Sequence, residues 1–238
     1  MIRFYNPDID TDSTLSQVES GHCCRVLRMH EGDEIEVVDG KGRLYRCEIT
    51  DANPRSTGIE ILSSVEIPKH WKPYITLAVA PTKNIDRMEW LAEKAVEIGV
   101  DKIIFLNCRH SVRKTVKRDR IEKILISAMK QSLKAKLPEF VEMMHYRDFM
   151  NSRIIGKRFI GYCDDNIEKV DFANSYDGLS DITILIGPEG DFSPEEIKMA
   201  LNHEFQPVTF GNTRLRTETA ALYALCATHT IITQISTK

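Results

Sequence analysis

The sequence predicts an α/β protein with a mainly parallel sheet, preceded by a small β-barrel. Residues 1 to about 68 contain short runs of alternating apolar and polar residues separated by turn signals, which is typical of a small barrel. From residue 74 onward, apolar strand patterns alternate with helical patterns, as in a parallel sheet covered by helices. We therefore expect two domains, 1–68 and 74–238, separated by the proline-containing segment 67–73.

The predicted barrel contains a hairpin. Residues 34–38 and 44–49 have strand patterns, and Asp39-Gly40 between them favours a tight turn. Residues 59–62 form a further strand candidate. Few helical patterns occur in this part of the chain, which favours an all-β domain.

The second half alternates between predicted strands and helices. Gly99 ends the first helix, Pro138 ends the second, and Ser193, Pro194 and Glu196 form a capping box at the start of the third. The predicted strands are 75–80, 102–106, 158–162, 182–186 and 207–210. The predicted helices are 86–98, 118–137, one that begins after Ser193, and one from 216 or 217 to about 232.

Composition excludes several classes of protein. With 238 residues, 42% hydrophobic and 28% charged, the chain can bury a core and is neither disordered nor collagen-like. No apolar run approaches the ~20 residues of a membrane span, and the N-terminus has no apolar signal core, so we expect a cytoplasmic protein. The six cysteines include no C-x-x-C and the seven histidines no zinc spacing, so we expect structural thiols and no metal.

Charge is distributed unevenly along the chain. The net charge of −3 argues against a nucleic-acid partner, but residues 1–70 carry −5, residues 71–165 carry +7 and residues 166–238 carry −5. Between Arg109 and Lys136 there are ten basic residues and only two acidic ones, Asp119 and Glu122. A solvated helix face is the simpler interpretation of a charge run, but the single sign favours contact with a phosphate backbone.

Familiar nucleotide-binding motifs are absent, and the glycine signals come late in the chain. There is no P-loop, no G-x-G-x-x-G after the first α/β strand and no G-x-S-x-G elbow. Instead, Gly187 and Gly190 follow one strand and Gly211 follows the next. A single glycine often serves only the geometry of its turn, but two successive strand-to-helix turns of this kind indicate a ligand crevice at the carboxyl ends of the strands.

Two C-terminal motifs resemble those of the RsmE family. Residues 185–193 read L-I-G-P-E-G-D-F-S with Glu196 following, and Gly211 precedes L-R-T-E-T-A at 215–220. Members of this family are SPOUT-superfamily methyltransferases that modify N3 of a uridine in the small-subunit (16S) ribosomal RNA. Weaker matches are His22, Val26-Leu27-Arg28, Gly32-Asp33 and Asp39-Gly40 to the family's PUA-like barrel, and Gln131-Ser132 with Pro138-Glu139 to its central signature.

The resemblance implies a C-terminal SPOUT-type trefoil-knotted domain, 74–238, after a PUA-like RNA-binding barrel, 1–68. It also implies S-adenosylmethionine (SAM) as cofactor, a homodimer with each active site at the subunit interface, and 16S rRNA within the small ribosomal subunit as partner. Tyr162 and Cys163 are candidates for a third loop at the cofactor. The implied cofactor-binding residues are Ile186, Gly187, Glu189, Gly190, Phe210, Gly211, Asn212 and Leu215.

The chain departs from the family pattern in four places. Asp191 replaces the usual second glycine of G-P-E-G-G, and because aspartate tolerates a left-handed backbone we expect the turn to survive. The usual R-I-L-R is Thr213-Arg214-Leu215-Arg216 in this chain. The usual E-R-S is Cys108-Arg109-His110, and E-Q-S-x-R is K-Q-S-L-K at 130–134, so the last two changes affect residues expected at the RNA.

Methylation of uridine N3 requires loss of its proton and stabilisation of the negative charge that spreads onto O2 and O4. Arg216 is our catalytic candidate for this stabilisation, with a salt bridge to Glu189 or Glu218 as its alternative role. His110 is a candidate proton acceptor, with a surface role as the alternative. The RNA-binding candidates are Arg28, Arg109, Lys114, Gln131 and Lys134. A non-catalytic RNA-binding protein and a SPOUT enzyme with another RNA target are the alternative functions.

Overall fold

A computed structural model describes residues 2–163 and 168–236. The chain divides into two units, each with its own hydrophobic core. Unit 1 consists of Met1–His70 and Leu125–Leu137, and unit 2 consists of Trp71–Ile124 and Pro138–Lys238. Within the described residues, no helix is long and apolar enough to cross a membrane.

Unit 1 is built on a four-stranded sheet. Its first two strands pair in parallel and the other neighbours are antiparallel. The Ile59 N–H donates to Ser13 O at 2.9 Å and the Leu15 N–H donates to Thr57 O at 2.9 Å, which closes the segment around Thr14 onto the last strand. In spatial order the strands are β1 (Arg3–Tyr5), β2 (Glu34–Val38), β3 (Arg43–Asp51) and β4 (Gly58–Glu66). Helix α1 (Gln17–Gly21) continues into a π-helical turn, His22–Val26.

Asp39 organises the hairpin between β2 and β3. Its Oδ1 accepts the backbone N–H groups of Lys41 at 2.7 Å, Gly42 at 3.0 Å and Arg43 at 3.0 Å. Gly40 has φ of 74°, a left-handed conformation that side chains disfavour. The hairpin predicted from Asp39-Gly40 is confirmed, with Val38 opposite Leu44.

Two cysteines lie in the core of unit 1, among Phe4, Ile35 and Tyr45. Burial raises the pKa of the Cys23 thiol to about 12 and that of Cys47 to about 11. Both thiols therefore stay protonated near neutral pH and act as small apolar packing groups.

Helix α3, Arg118–Gln131, ends earlier than the sequence predicts. Leu133 has φ of 55°, which leaves the helical conformation, and the chain beyond it bonds to the β2–β3 turn. The Gly42 N–H donates to Ala135 O at 3.1 Å, and the Leu137 N–H donates to Gly40 O at 2.8 Å. The helix prediction is wrong beyond residue 131 because these backbone groups bond to a distant turn instead of the preceding helical turn. Residues 125–137 therefore belong to unit 1 together with residues 1–70. A single boundary near residues 68–74 does not give this division of the chain.

Unit 2 contains a seven-stranded sheet in which the described neighbours all pair in parallel. This confirms the predicted mainly parallel sheet. The two edge strands, β7 (Glu139–His145) and β9 (Val170–Asp171), are not in the sequence prediction. In spatial order the strands are β7 (Glu139–His145), β6 (Lys102–Asn107), β5 (Ile75–Val79), β10 (Ile182–Ile186), β8 (Lys157–Gly161), β11 (Gln206–Thr209) and β9 (Val170–Asp171).

Three helices of unit 2 begin within one residue of the predicted position: α2 (Ile85–Ile98), α6 (Pro194–Asn202) and α7 (Thr217–Ser236). The short helices α4 (Tyr146–Asn151) and α5 (Phe172–Ser175) are not in the sequence prediction. The capping box of α6 is present: Ser193 Oγ accepts the Glu196 N–H at 3.3 Å, and the Glu196 carboxylate accepts the Ser193 N–H at 2.9 Å. Helix α2 packs against α7, and α7 also contacts β5 and β10, whereas α4 packs against α6.

The order of the strands positions the candidate site. β10, β8 and β11 are neighbours in the sheet and run in the same direction. Their carboxyl ends therefore meet at one edge, and the loops that follow them lie side by side. We refer to these as the β8 loop (161–163), the β10 loop (187–193) and the β11 loop (210–216).

Candidate functional site

The β8, β10 and β11 loops surround a cavity of about 770 Å³. This volume lies within the range of about 300–1,000 Å³ that small-molecule sites occupy. Thr217 and Ala220, at the N-terminal end of α7, close the cavity on one side. The two glycine turns that the sequence singles out therefore contribute to one concave site.

The cavity brings together most of the residues that the resemblance implies for cofactor binding. Gly190 is the exception, because it turns away from the cavity and packs against His110, where an added Cβ would lie 3.1 Å from the His110 Cβ. Tyr162 and Cys163 also line the cavity. The lining residues from the implied set are Ile186, Gly187, Glu189, Phe210, Gly211, Asn212 and Leu215.

Gly161, which the sequence reasoning missed, provides space at the wall of the cavity. A Cβ at this position would lie 2.6 Å from the Phe210 ring and 3.2 Å from the Ile186 side chain. The Phe210 ring in turn packs against Phe172 and Tyr223, with centroid distances of 5.6 and 5.9 Å. A glycine as the last residue of a strand was the available signal for this close approach.

Arg87 of α2 is the second residue that the sequence reasoning missed. Its Nη1 lies 3.5 Å from Glu189 Oε1 in the β10 loop, and its Nε lies 3.6 Å from Glu218 Oε1 at the start of α7. The Lys83 N–H also donates to Glu189 Oε2 at 3.0 Å. Arg87 thus connects three elements around the cavity, and the helical pattern of α2 gave no indication of this role.

Arg216 lies at the mouth of the cavity with an exposed side chain. Glu189 and Glu218, the two acids proposed as its salt-bridge partners, both pair with Arg87 instead. In the part of the chain that the structure describes, no ion pair or side-chain hydrogen bond involves Arg216. Its guanidinium is therefore available to a ligand.

The loop after β6 contacts both the β10 loop and the first turn of α6. The backbone N–H of Arg109 donates to Glu196 Oε1 at 2.9 Å. His110 Nδ1 lies 3.2 Å from both Gly190 O and Asp191 O. Because both neighbours are carbonyl oxygens, Nδ1 carries the proton and donates to them. Burial raises the pKa of Cys108, the first residue of this loop, so its thiol is a packing group.

The RNA-binding candidates divide between the two units. Arg109 and Lys114 belong to unit 2, whereas Arg28, Gln131 and Lys134 belong to unit 1. Arg109, Arg28 and Gln131 are exposed and Lys134 is half-buried. The Lys114 ammonium donates to Asn107 Oδ1 at 3.0 Å.

The basic run between Arg109 and Lys136 is partly neutralised by acids outside it. Arg120 lies 2.5 Å from Glu89 of α2, and Lys130 lies 2.5 Å from Glu19 of α1. Arg113 donates to the carbonyls of Thr82 and Lys83 and so holds the β5–α2 loop. Counting acids within the run alone therefore overstates its positive charge.

A parallel α/β sheet with a ligand-sized cavity at its carboxyl edge defines unit 2 as a domain that binds a small ligand in its strand-end loops. A family model described as an RNA methyltransferase domain matches residues 69–229, and one described as an RNA methyltransferase PUA domain matches residues 19–62. Ribosomal RNA small subunit methyltransferase E of Mesomycoplasma hyopneumoniae (strain 232) is 31% identical over 183 residues, 72% of this chain and 76% of that protein. The chain belongs to this family of RNA methyltransferases, known as RsmE.

Solved structures are similar over nearly the whole chain. A probable rRNA-methyltransferase from Porphyromonas gingivalis has a TM-score of 0.93 and 41% identity, and the match covers 99% of this chain and 100% of that one. A ribosomal RNA small subunit methyltransferase E from Neisseria gonorrhoeae, bound to S-adenosyl methionine, has a TM-score of 0.84 and 28% identity, with 97% and 98% coverage. The PUA domain and the α/β domain expected from the sequence are therefore both present.

Replacement of Arg87 by methionine should destabilise unit 2. It leaves the Glu218 carboxylate, 9% exposed, without its cation, while its second oxygen already has no partner among the described residues. We expect a loss of about 1–2 kcal/mol in the free energy of unfolding, less than for a fully buried pair because Arg87 is partly exposed. Thermal denaturation measures the change.

Lys94→Met on the same helix is the matched control, since Lys94 pairs only with partly exposed Glu93 and Glu97 among the described residues. Its melting temperature should stay close to that of the parent protein. An equal decrease for both variants would contradict a special role for Arg87.

Proposed function

We propose that this RNA methyltransferase uses SAM to methylate N3 of a uridine in 16S rRNA within the small ribosomal subunit. The observation that carries the proposal is the cavity formed by the β8, β10 and β11 loops, because it gathers the glycine motifs into one ligand-sized site. In this proposal residues 1–68 bind RNA and residues 74–238, folded as a trefoil knot, perform the transfer. The protein acts in the cytoplasm as a homodimer.

The residues of the cavity fit SAM. Ile186, Phe210 and Leu215 offer apolar surface to a purine, and the missing side chain of Gly161 leaves room beside Phe210. When bound, SAM supplies a methyl group on a positively charged sulfur.

Arg216 stabilises the charge that develops on the base. When uridine N3 loses its proton, negative charge spreads onto O2 and O4, and a fixed cation beside those atoms lowers the barrier. Arg216 directly precedes α7, whose N-terminus adds a partial positive charge. Because Arg87 occupies Glu189 and Glu218, the charge of Arg216 is not neutralised by either acid.

Exposed apolar surface near the cavity supports the homodimer. Tyr223 of α7 is 49% exposed, and its ring packs against Phe210 of the cavity wall. A second subunit that covers this part of α7 would lie beside the cavity. The mass of the purified protein in solution, measured by light scattering, tests this part of the proposal: a monomer at micromolar concentration would contradict it.

A methylation assay tests the function itself. Small ribosomal subunits from cells that lack this protein are incubated with the protein and SAM, and the modified nucleotide is mapped by mass spectrometry. We expect a single methyl group on N3 of one uridine. Methylation of another atom or another RNA would indicate a different target, and failure of calorimetry to detect SAM binding would favour a non-catalytic RNA-binding protein.

Arg216→Ala should reduce turnover far more than cofactor affinity. Loss of one fixed charge-stabilising donor lowers kcat by about 100-fold or more, whereas the Kd for SAM should change less than about threefold because Arg216 acts on the base. Arg214→Ala is the control, since Arg214 is exposed and lines the same cavity. A larger loss of kcat for Arg214→Ala than for Arg216→Ala would contradict the prediction, because it would show that Arg214 stabilises the charge on the base.

Charge reversal at Lys114 or Lys134 should weaken RNA binding and its salt dependence. Each lost phosphate contact reduces the slope of log K against log salt concentration by about 1. Lys94→Glu on α2, outside the basic run, should leave the slope unchanged. Filter binding of small-subunit rRNA at several salt concentrations measures the slopes, and equal slopes for all these proteins would exclude Lys114 and Lys134 from the RNA contact.

A further inference from the structure

Asp191 contacts three loops of unit 2. Its φ is 62°, and its N–H donates to Pro188 O at 2.9 Å, which closes the turn of the β10 loop. One carboxylate oxygen, Oδ1, accepts the Phe192 N–H at 2.9 Å. The other, Oδ2, accepts the Cys163 N–H of the β8 loop at 2.8 Å. The Asp191 carbonyl lies 3.2 Å from His110 Nδ1 in the loop after β6.

The bond to Cys163 is distinctive because it joins two separate walls of the cavity. Cys163 and Asp191 both line it, and they belong to loops that follow neighbouring parallel strands, β8 and β10. Cys163 itself is exposed, so packing does little to hold its backbone. A hydrogen bond to a charged acceptor is stronger than one between neutral groups. The carboxylate therefore restrains the β8 loop relative to the β10 loop.

The side chain at this position must satisfy two requirements. The left-handed backbone admits glycine, asparagine and aspartate more readily than other residues. The Phe192 and Cys163 N–H groups bond to different oxygens of the side chain, and aspartate supplies both. Asparagine has one acceptor oxygen and glycine has none. These three residues thus share the backbone conformation and differ in the number of bonds to the loops.

We propose that Asp191 is a positioning residue for the cofactor, because its carboxylate holds the β8 loop in place before SAM binds. This inference rests on the proposed function. An ordered loop loses less entropy when the ligand arrives, so the bond strengthens binding without contact with the reacting atoms. Loss of the hydrogen bond between Asp191 and Cys163 should raise the Kd and the KM for SAM and leave kcat at saturating SAM nearly unchanged.

The experiment compares Asp191→Gly and Asp191→Asn with the parent protein. Hydrogen exchange of the Cys163 amide is measured by NMR without SAM, and the Kd for SAM is measured by calorimetry. For Asp191→Gly we expect exchange about tenfold faster and a Kd about tenfold higher. Asp191→Asn, with one acceptor, should lie between the glycine variant and the parent protein in both measurements.

Glu204→Gly is the matched control for the backbone. Glu204 also has φ of 62°, but it is 86% exposed at the side chain and lies outside the residues that line the cavity. Its replacement should leave the exchange of the Cys163 amide and the Kd for SAM within twofold of the parent values. If Glu204→Gly raised the Kd as much as Asp191→Gly does, removal of any side chain at a left-handed position would weaken SAM binding. That result would overturn the proposal.

Two further results would also overturn it. One is an Asp191→Gly protein whose Cys163 exchange and Kd match those of the parent. The other is an Asp191→Asn protein that protects the Cys163 amide yet binds SAM as weakly as the glycine variant. If the parent protein binds no SAM, the proposed function fails and the positioning role fails with it, whereas the exchange measurement still reports whether Asp191 restrains the β8 loop.

Discussion

The parallel pairing of β10 between β5 and β8 is the constraint on which the candidate site depends. All five residues of β10 are buried, and the strand pairs on both sides with neighbours that run in the same direction. A strand buried in this way has no freedom to shift, because its backbone groups are bonded on both edges and its side chains are packed on both faces. Its carboxyl end therefore delivers the β10 loop to a defined position between the other loops. The cavity is a consequence of that alignment.

Electrostatic pairing around the cavity divides the charged residues into two groups. Arg87 pairs with Glu189 and Glu218, and this pairing leaves Arg216 exposed at the mouth of the cavity. Asp191 bonds to backbone N–H groups instead of a cation. The same principle applies to the basic run, where Glu89 and Glu19 neutralise Arg120 and Lys130. A charged side chain is thus available to a ligand only where no neighbouring residue of opposite charge pairs with it.

The glycine motifs were the part of the site that the sequence predicted well. Glycines after two successive strands indicated a crevice, and the cavity contains Gly187 and Gly211. Gly190 was expected at the cofactor but does not line the cavity, because its place in the turn puts it against His110. Arg87 was unpredictable for a different reason: a charged residue on an amphipathic helix has the same local pattern whether it faces water or two acids from distant segments.

The sequence by itself determined the order and type of most elements. The Asp39-Gly40 hairpin, the α6 capping box and the buried strands of the parallel sheet are specified by neighbouring residues, because turns, caps and burial patterns depend on short-range chemistry. Tertiary structure alone decided the end of α3 at Gln131, the return of residues 125–137 to unit 1 and the bond from Asp191 to Cys163. Each of these depends on contacts between backbone groups or charges that are far apart in the chain. Such contacts form only when folding has brought the segments together.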